Sequence, residues 1–174
     1  MRAGSAAARQ GGFTYLGALF LLALMGLGLA GTGDAWSLAS RRERERELLW
    51  AGNQYVRALT AYYEQSPGVK QYPMQLQELL EDRRFPQPRH HLRQLHADPV
   101  ARAPFVAIRN AQGRIAGVRS ASEAAPMKQA GFAPPWEHFQ GRARHADWQF
   151  VADQSLRPPA PAKLKAAAAR PAAP

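Results

Sequence analysis

A chain of 174 residues without a single cysteine has room for one small folded domain, and it excludes disulfide bracing, thiol catalysis and Cys-based zinc sites. The formal net charge is +10. It is spread along the chain, with +2 in residues 1–12, −1 in 13–40 from Asp34, +1 in 41–66, +4 in 67–156 and +4 in 157–174, a pattern that favours general attraction to anionic surfaces over a dedicated nucleic-acid groove.

The first twelve residues carry Arg2 and Arg9 and no acid. Gly11-Gly12-Phe13-Thr14-Tyr15-Leu16 then opens a run to Gly33 without a charged residue. As a helix those positions span roughly 31 Å, close to the hydrocarbon thickness of a bilayer, so the run predicts a transmembrane helix over 13–33. A secretory signal has its cleavage site behind the apolar core; here the processing point at Gly12 lies in front, so cutting would leave the helix on the mature chain. Gly26, Gly28, Gly31 and Gly33 are expected to allow close helix packing, and Trp36 to anchor an interface. From 34 to 66 the helix continues. Arg41 to Glu47 alternates sign and reads as a solvated surface, whereas Leu48, Gly52, Tyr55, Val56, Leu59, Tyr62 and Tyr63 form a stripe at three- and four-residue spacing that something must cover. Ser66-Pro67-Gly68 ends it. Charge conflicts with one orientation: Arg41, Arg42, Arg44 and Arg46 follow the apolar run and outnumber Arg2 and Arg9, so charge alone leaves the topology open.

Residues 67–156 read as a small α+β head. Leu76, Leu79 and Leu80 predict a short helix, and His90 to Leu95 another, closed by Asp98-Pro99. Phe105 to Arg109 and Ile115 to Ser120, joined by Asn110-Ala111-Gln112-Gly113, predict a hairpin, with Trp148 to Val151 as a third strand. From Pro158 onward only Pro, Ala, Lys, Arg and Leu164 occur, and 157–174 is expected to be a disordered basic tail.

Gly12-Phe13-Thr14-Tyr15-Leu16 resembles the processing site of type IV pilins and type II secretion pseudopilins. The layout from Tyr72-Pro73 through Asp98-Pro99 to the hairpin is similar to that of the major pseudopilin. The resemblance implies cleavage between Gly12 and Phe13 by prepilin peptidase, N-methylation of Phe13, and a pilin-like fold: a long N-terminal transmembrane helix spine packed on a small antiparallel β-sheet. It also implies a single-pass protein of the bacterial inner membrane, leader cytoplasmic and head periplasmic. Its partners would be other pilin or pseudopilin subunits, the inner-membrane assembly platform and membrane lipid. The chain departs from the family at Gly17, where relatives carry a glutamate thought to neutralise a neighbour's amino terminus; a subunit with Gly17 could offer its amine but accept none.

No catalytic constellation is present. No serine lies in a Gly-x-Ser-x-Gly setting, and neither a phosphate loop nor a dinucleotide fingerprint occurs. His90, His91, His96, His138 and His145 lack ligand spacing and are expected as polar surface residues. Relatives bind calcium through a C-terminal acidic loop, but Glu123, Glu137, Asp147 and Asp153 are too dispersed for that site. No metal or cofactor is expected. The sequence therefore points to a structural subunit of a type II secretion-like or type IV pilus-like machine. The rival reading is a binding module that holds DNA or another anionic polymer, with Trp136 and Trp148 near Arg142 and Arg144.

Overall fold

The computed structural model describes residues 11–159, with only the backbone described for 11–14 and 26–35. Two compact units divide between Ser40 and Arg41. The dominant element is α1 (Gly11–Glu64), 54 residues long. No proline precedes Pro67, so nothing in this segment removes a helical N–H. At its end Ser66 Oγ donates to the Tyr62 carbonyl, and Gly68 takes φ 82°, a left-handed conformation that suits glycine.

The expected membrane spine requires correction. Among the described residues, no helix is long and apolar enough to cross a membrane. This overturns the transmembrane part of the expected fold and the single-pass inner-membrane placement built on it. The α+β class holds: one long helix accompanies two small antiparallel sheets.

In the second unit, β1 (Ala97–Asp98) pairs with β2 (Ala103–Pro104) as a minimal two-stranded ladder. A separate three-stranded sheet has the order β3–β4–β5, from β3 (Val106–Arg109), β4 (Ile115–Arg119) and β5 (Gln149–Val151). The β3–β4 hairpin falls where the alternation placed it. Its turn is tied by the Asn110 side chain, which accepts from the N–H groups of Gln112 and Arg114. The expected helix at 76–80 is a single 3-10 turn, Leu76–Leu79, and no helix forms over 90–95. There the backbone is drawn back instead, with the N–H groups of His91 and Leu92 both donating to the Leu79 carbonyl at 2.9 Å.

Leu48, Tyr55, Leu59 and Tyr62 bury the predicted stripe of α1, and they share one hydrophobic core with Leu79, Leu92, Phe105, Val118, Phe139, Trp148 and Phe150. Each such large apolar side chain contributes roughly 1.5–3 kcal/mol by leaving water. Trp136, Phe139 and Trp148 form a stack, with successive centroids at 5.3 and 5.6 Å. Phe150 of β5 lays its ring on Gly52 of α1, where a Cβ would come within 2.4 Å of it, and a Cβ on Gly117 of β4 would come within 2.7 Å of the Phe150 carbonyl oxygen. Helix and sheet meet where the helix carries no side chain.

Of the expected tail, Arg157 to Pro159 are described, and they are held: Arg157 N–H donates to Gln154, and the Pro159 carbonyl accepts from Arg142 at 2.8 Å. Residues 160–174 lie outside the described residues.

Candidate functional site

The residues singled out for processing and packing belong to the first unit. Gly12 and Phe13 are helical, but their side-chain surroundings lie outside the described residues. The same holds for Gly26, Gly28, Gly31 and Gly33. Gly17 is described, and no atom lies within 4 Å of where its Cβ would stand. Around it Tyr15, Leu16, Leu19, Phe20, Leu21, Leu22, Leu24 and Met25 are each between 46 and 68% exposed. Successive residues step about 100° around a helix, so this surface is apolar on every side. It is a candidate assembly surface, since exposed apolar area of this extent marks an interaction site.

The second unit holds two buried carboxylates. Glu45 of α1 is 5% exposed although its neighbours Arg44 and Arg46 face outward in part or fully. The carboxylate accepts from the N–H of Met127 through Oε1 and of Lys128 through Oε2 (3.0 Å), and His145 Nε2 lies 3.1 Å from Oε1. His145 Nδ1 meets the Ala124 carbonyl at 2.8 Å. A carbonyl can only accept, so Nδ1 carries a hydrogen; an ionised carboxylate can only accept, so one more proton belongs to the His145–Glu45 contact. The pair thus stitches the charged stretch of α1 to the loop that precedes β5.

Asp82 is likewise buried, at 1% exposure, but it faces a permanent cation. Arg84 donates from Nε to Oδ1 at 2.8 Å and from a terminal nitrogen to Oδ2 at 2.7 Å, while His91 Nε2 lies 3.1 Å from Oδ2. Burial pushes the Asp82 pKa up, but the hydrogen bonds from Arg84 side chain and backbone, with His91, outweigh it and hold the carboxyl at about 2. Arg84 also lies 3.5 Å from the Tyr62 ring centre and donates to the Tyr62 carbonyl at 3.0 Å, closing the end of α1. The Tyr62 hydroxyl, its pKa raised by burial and by its bond to Glu78, donates to Glu78 at 2.6 Å.

The expectation of surface histidines needs correction. His138 and His145 are buried, and the His91 side chain is covered. His138 has its pKa lowered mainly by burial, which outweighs the raising effect of the Gln149 and Pro135 carbonyls, 3.4 and 3.1 Å from its two ring nitrogens. Trp136 and Trp148, read as a nucleic-acid surface in the rival view, are instead half-buried and fully buried members of the aromatic stack. Sequence reasoning missed Glu45 because alternating charge reads as solvated, and its partner lies 100 residues away. Among known proteins, no family model, no curated protein and no solved structure matches this chain.

Proposed function

We propose that this chain is a pilin-like structural subunit, a pseudopilin of a type II secretion-like or type IV pilus-like assembly, cut between Gly12 and Phe13 by prepilin peptidase. The observation that supports it best is the division of labour along α1. Its beginning exposes apolar side chains all round from Tyr15 to Met25, while Leu48 to Tyr62 bury one stripe under a small sheet domain. A helix that is apolar on every side needs partners outside its own chain. Other subunits offering a like helix are the fitting occupants, and the head carries no comparable surface.

The test uses the absence of native cysteine. Leu19→Cys and Leu22→Cys chains, co-expressed with a prepilin peptidase and its companion subunits, are expected to give mature protein starting at Phe13 by mass analysis. Oxidation should then give cross-linked ladders. Gly17→Glu, which has open space to enter, is expected to strengthen self-association without preventing cleavage. A chain that still starts at Met1, or cysteines that never cross-link, overturns the proposal.

A further inference from the structure

A cleft of about 270 Å³ in the second unit collects cations that nothing among the described residues answers. Arg41 and Arg44 reach it from α1, and Arg102 from the turn between β1 and β2; Ser122, Glu45 and His145 complete the wall. The charges have no acceptors of their own. Arg46, Arg83, Arg84 and Arg144 each pair with a carboxylate, whereas Arg41, Arg44 and Arg102 make no ion pair and no side-chain hydrogen bond among the described residues. Like charges gathered in one concavity repel, and that repulsion is relieved by an anion.

The carboxylate in this wall does not cancel them. Both oxygens of Glu45 are turned to the Met127 and Lys128 N–H groups, with His145 Nε2 beside Oε1, and none of the three arginines pairs with it. Ser122 accepts weakly from the Ala124 N–H at 3.3 Å, and its own O–H donates to no protein group, so it remains available as a neutral donor.

The backbone at Arg102 is a second, separate sign. Arg102 is the one described non-glycine residue with a left-handed backbone, at φ 53°. L-residues other than Gly, Asn and Asp avoid this region, and such strain collects where a side chain has to be aimed. The strained turn is fixed from one point. Buried Asp98 accepts from the N–H groups of Val100 and Ala101, its carbonyl accepts from Arg102 N–H, and its other oxygen takes Ser120 Oγ and Ala121 N–H. A glycine at 102 would suit the turn better, and an arginine stands there.

We infer that this cleft binds a compact dianionic oxyanion, a phosphoryl group, held by the guanidinium groups of Arg41, Arg44 and Arg102 with the Ser122 hydroxyl. Planar guanidinium groups offer paired N–H donors that match the edges of a phosphate, which single ammonium groups do not. Arg44 and Arg102 also line an adjoining cavity of about 670 Å³ that holds half-exposed Trp50 beside Glu47, so a phosphate monoester has room for the remainder of its molecule. The site is independent of the assembly role proposed above.

Calorimetric titration of the full chain at constant ionic strength, with inorganic phosphate and separately with glycerol phosphate, tests this. One saturable site per chain is expected. Arg44→Gln should weaken it at least about tenfold, the size of one charge-assisted contact, while Arg57→Gln, an exposed arginine elsewhere on α1, leaves it unchanged. Arg102→Gly guards against misfolding: it relieves the left-handed strain, so thermal stability is expected to hold or rise while affinity falls by the same factor. Tighter binding of glycerol phosphate supports the site and assigns it to the phosphoryl end of a larger molecule; tighter binding of inorganic phosphate supports it and assigns it to the free anion. Absence of saturable binding, or equal weakening by Arg57→Gln, overturns the site and leaves only diffuse attraction to a basic protein.

Discussion

Asp82 and Glu45 are both buried carboxylates with a histidine nitrogen at 3.1 Å, yet they are neutralised in different ways. Asp82 has Arg84, whose charge does not depend on pH, in a two-bond clasp. Glu45 has no arginine or lysine partner; it relies on the N–H groups of Met127 and Lys128 and on a proton shared with His145. A buried carboxylate can thus be kept by a fixed charge or by a set of N–H dipoles and a histidine. The first is costly to break on either side.

That contrast can be broken most sharply at Asp82. Asp82→Ala leaves Arg84 half-buried without its counter-ion and is expected to cost about 3–5 kcal/mol in urea unfolding. Adding Arg84→Met should restore much of that loss, because no uncompensated charge then remains. If the double variant is as unstable as the single, the clasp is not what Asp82 supplies.

Glu45→Ala comes next. It strands two backbone donors and His145, and roughly 2–3 kcal/mol is expected, with Glu45→Gln costing less because an amide oxygen still accepts from the loop. Equal losses for the two substitutions would show that charge, not acceptor geometry, holds the loop to α1.

Acid titration sharpens the same comparison. The Asp82 carboxyl is depressed from 3.8 to about 2 in the fold, so its contribution, roughly 2 kcal/mol, is fully present above pH 4 and is lost as pH falls through about 2. Asp82→Asn should flatten that part of the stability profile. His138, depressed below its ordinary 6.5 chiefly by burial, adds a separate decline that begins as pH drops under that value, since the unfolded chain then takes up the proton first. A His138→Gln profile that still falls between pH 6.5 and 5 would reassign the decline.

The smallest effect belongs to exposed pairs of the same chemistry. Arg46 and Glu43 meet at 3.0 Å with both side chains 70% or more exposed, and Arg46→Gln should change stability by less than about 0.5 kcal/mol. A larger loss would mean that the outer arginines of this stretch matter as the buried glutamate does.

These two carboxylates also mark the limit of what the residues disclose in order. The stripe from Leu48 to Tyr62 was legible because burial imposes a period of 3.6, and the β3–β4 hairpin because alternation and a polar turn from Asn110 to Gly113 coincide. Strands of two residues, such as β1 and β2, are too short to show any period. His90 to Leu95 looked helical from composition, but the Leu79 carbonyl captured two of its N–H groups, a tertiary contact no local pattern encodes. Glu45, in a run of alternating charge, carried no local sign of burial, and the arginine cleft joins residues from four separate stretches of chain.

The seat of Phe150 on Gly52 has a mechanical consequence. Its ring occupies a notch on α1 that exists only at Gly52, with Ala51 and Asn53 on either side. Sliding the helix by one residue, about 1.5 Å, or turning it by one step would bring a side chain against that ring. Helix and sheet are therefore keyed to one another like a bolt in its keeper, and a pull along α1 is resisted in shear by that aromatic ring before it reaches the three-residue strand that carries it.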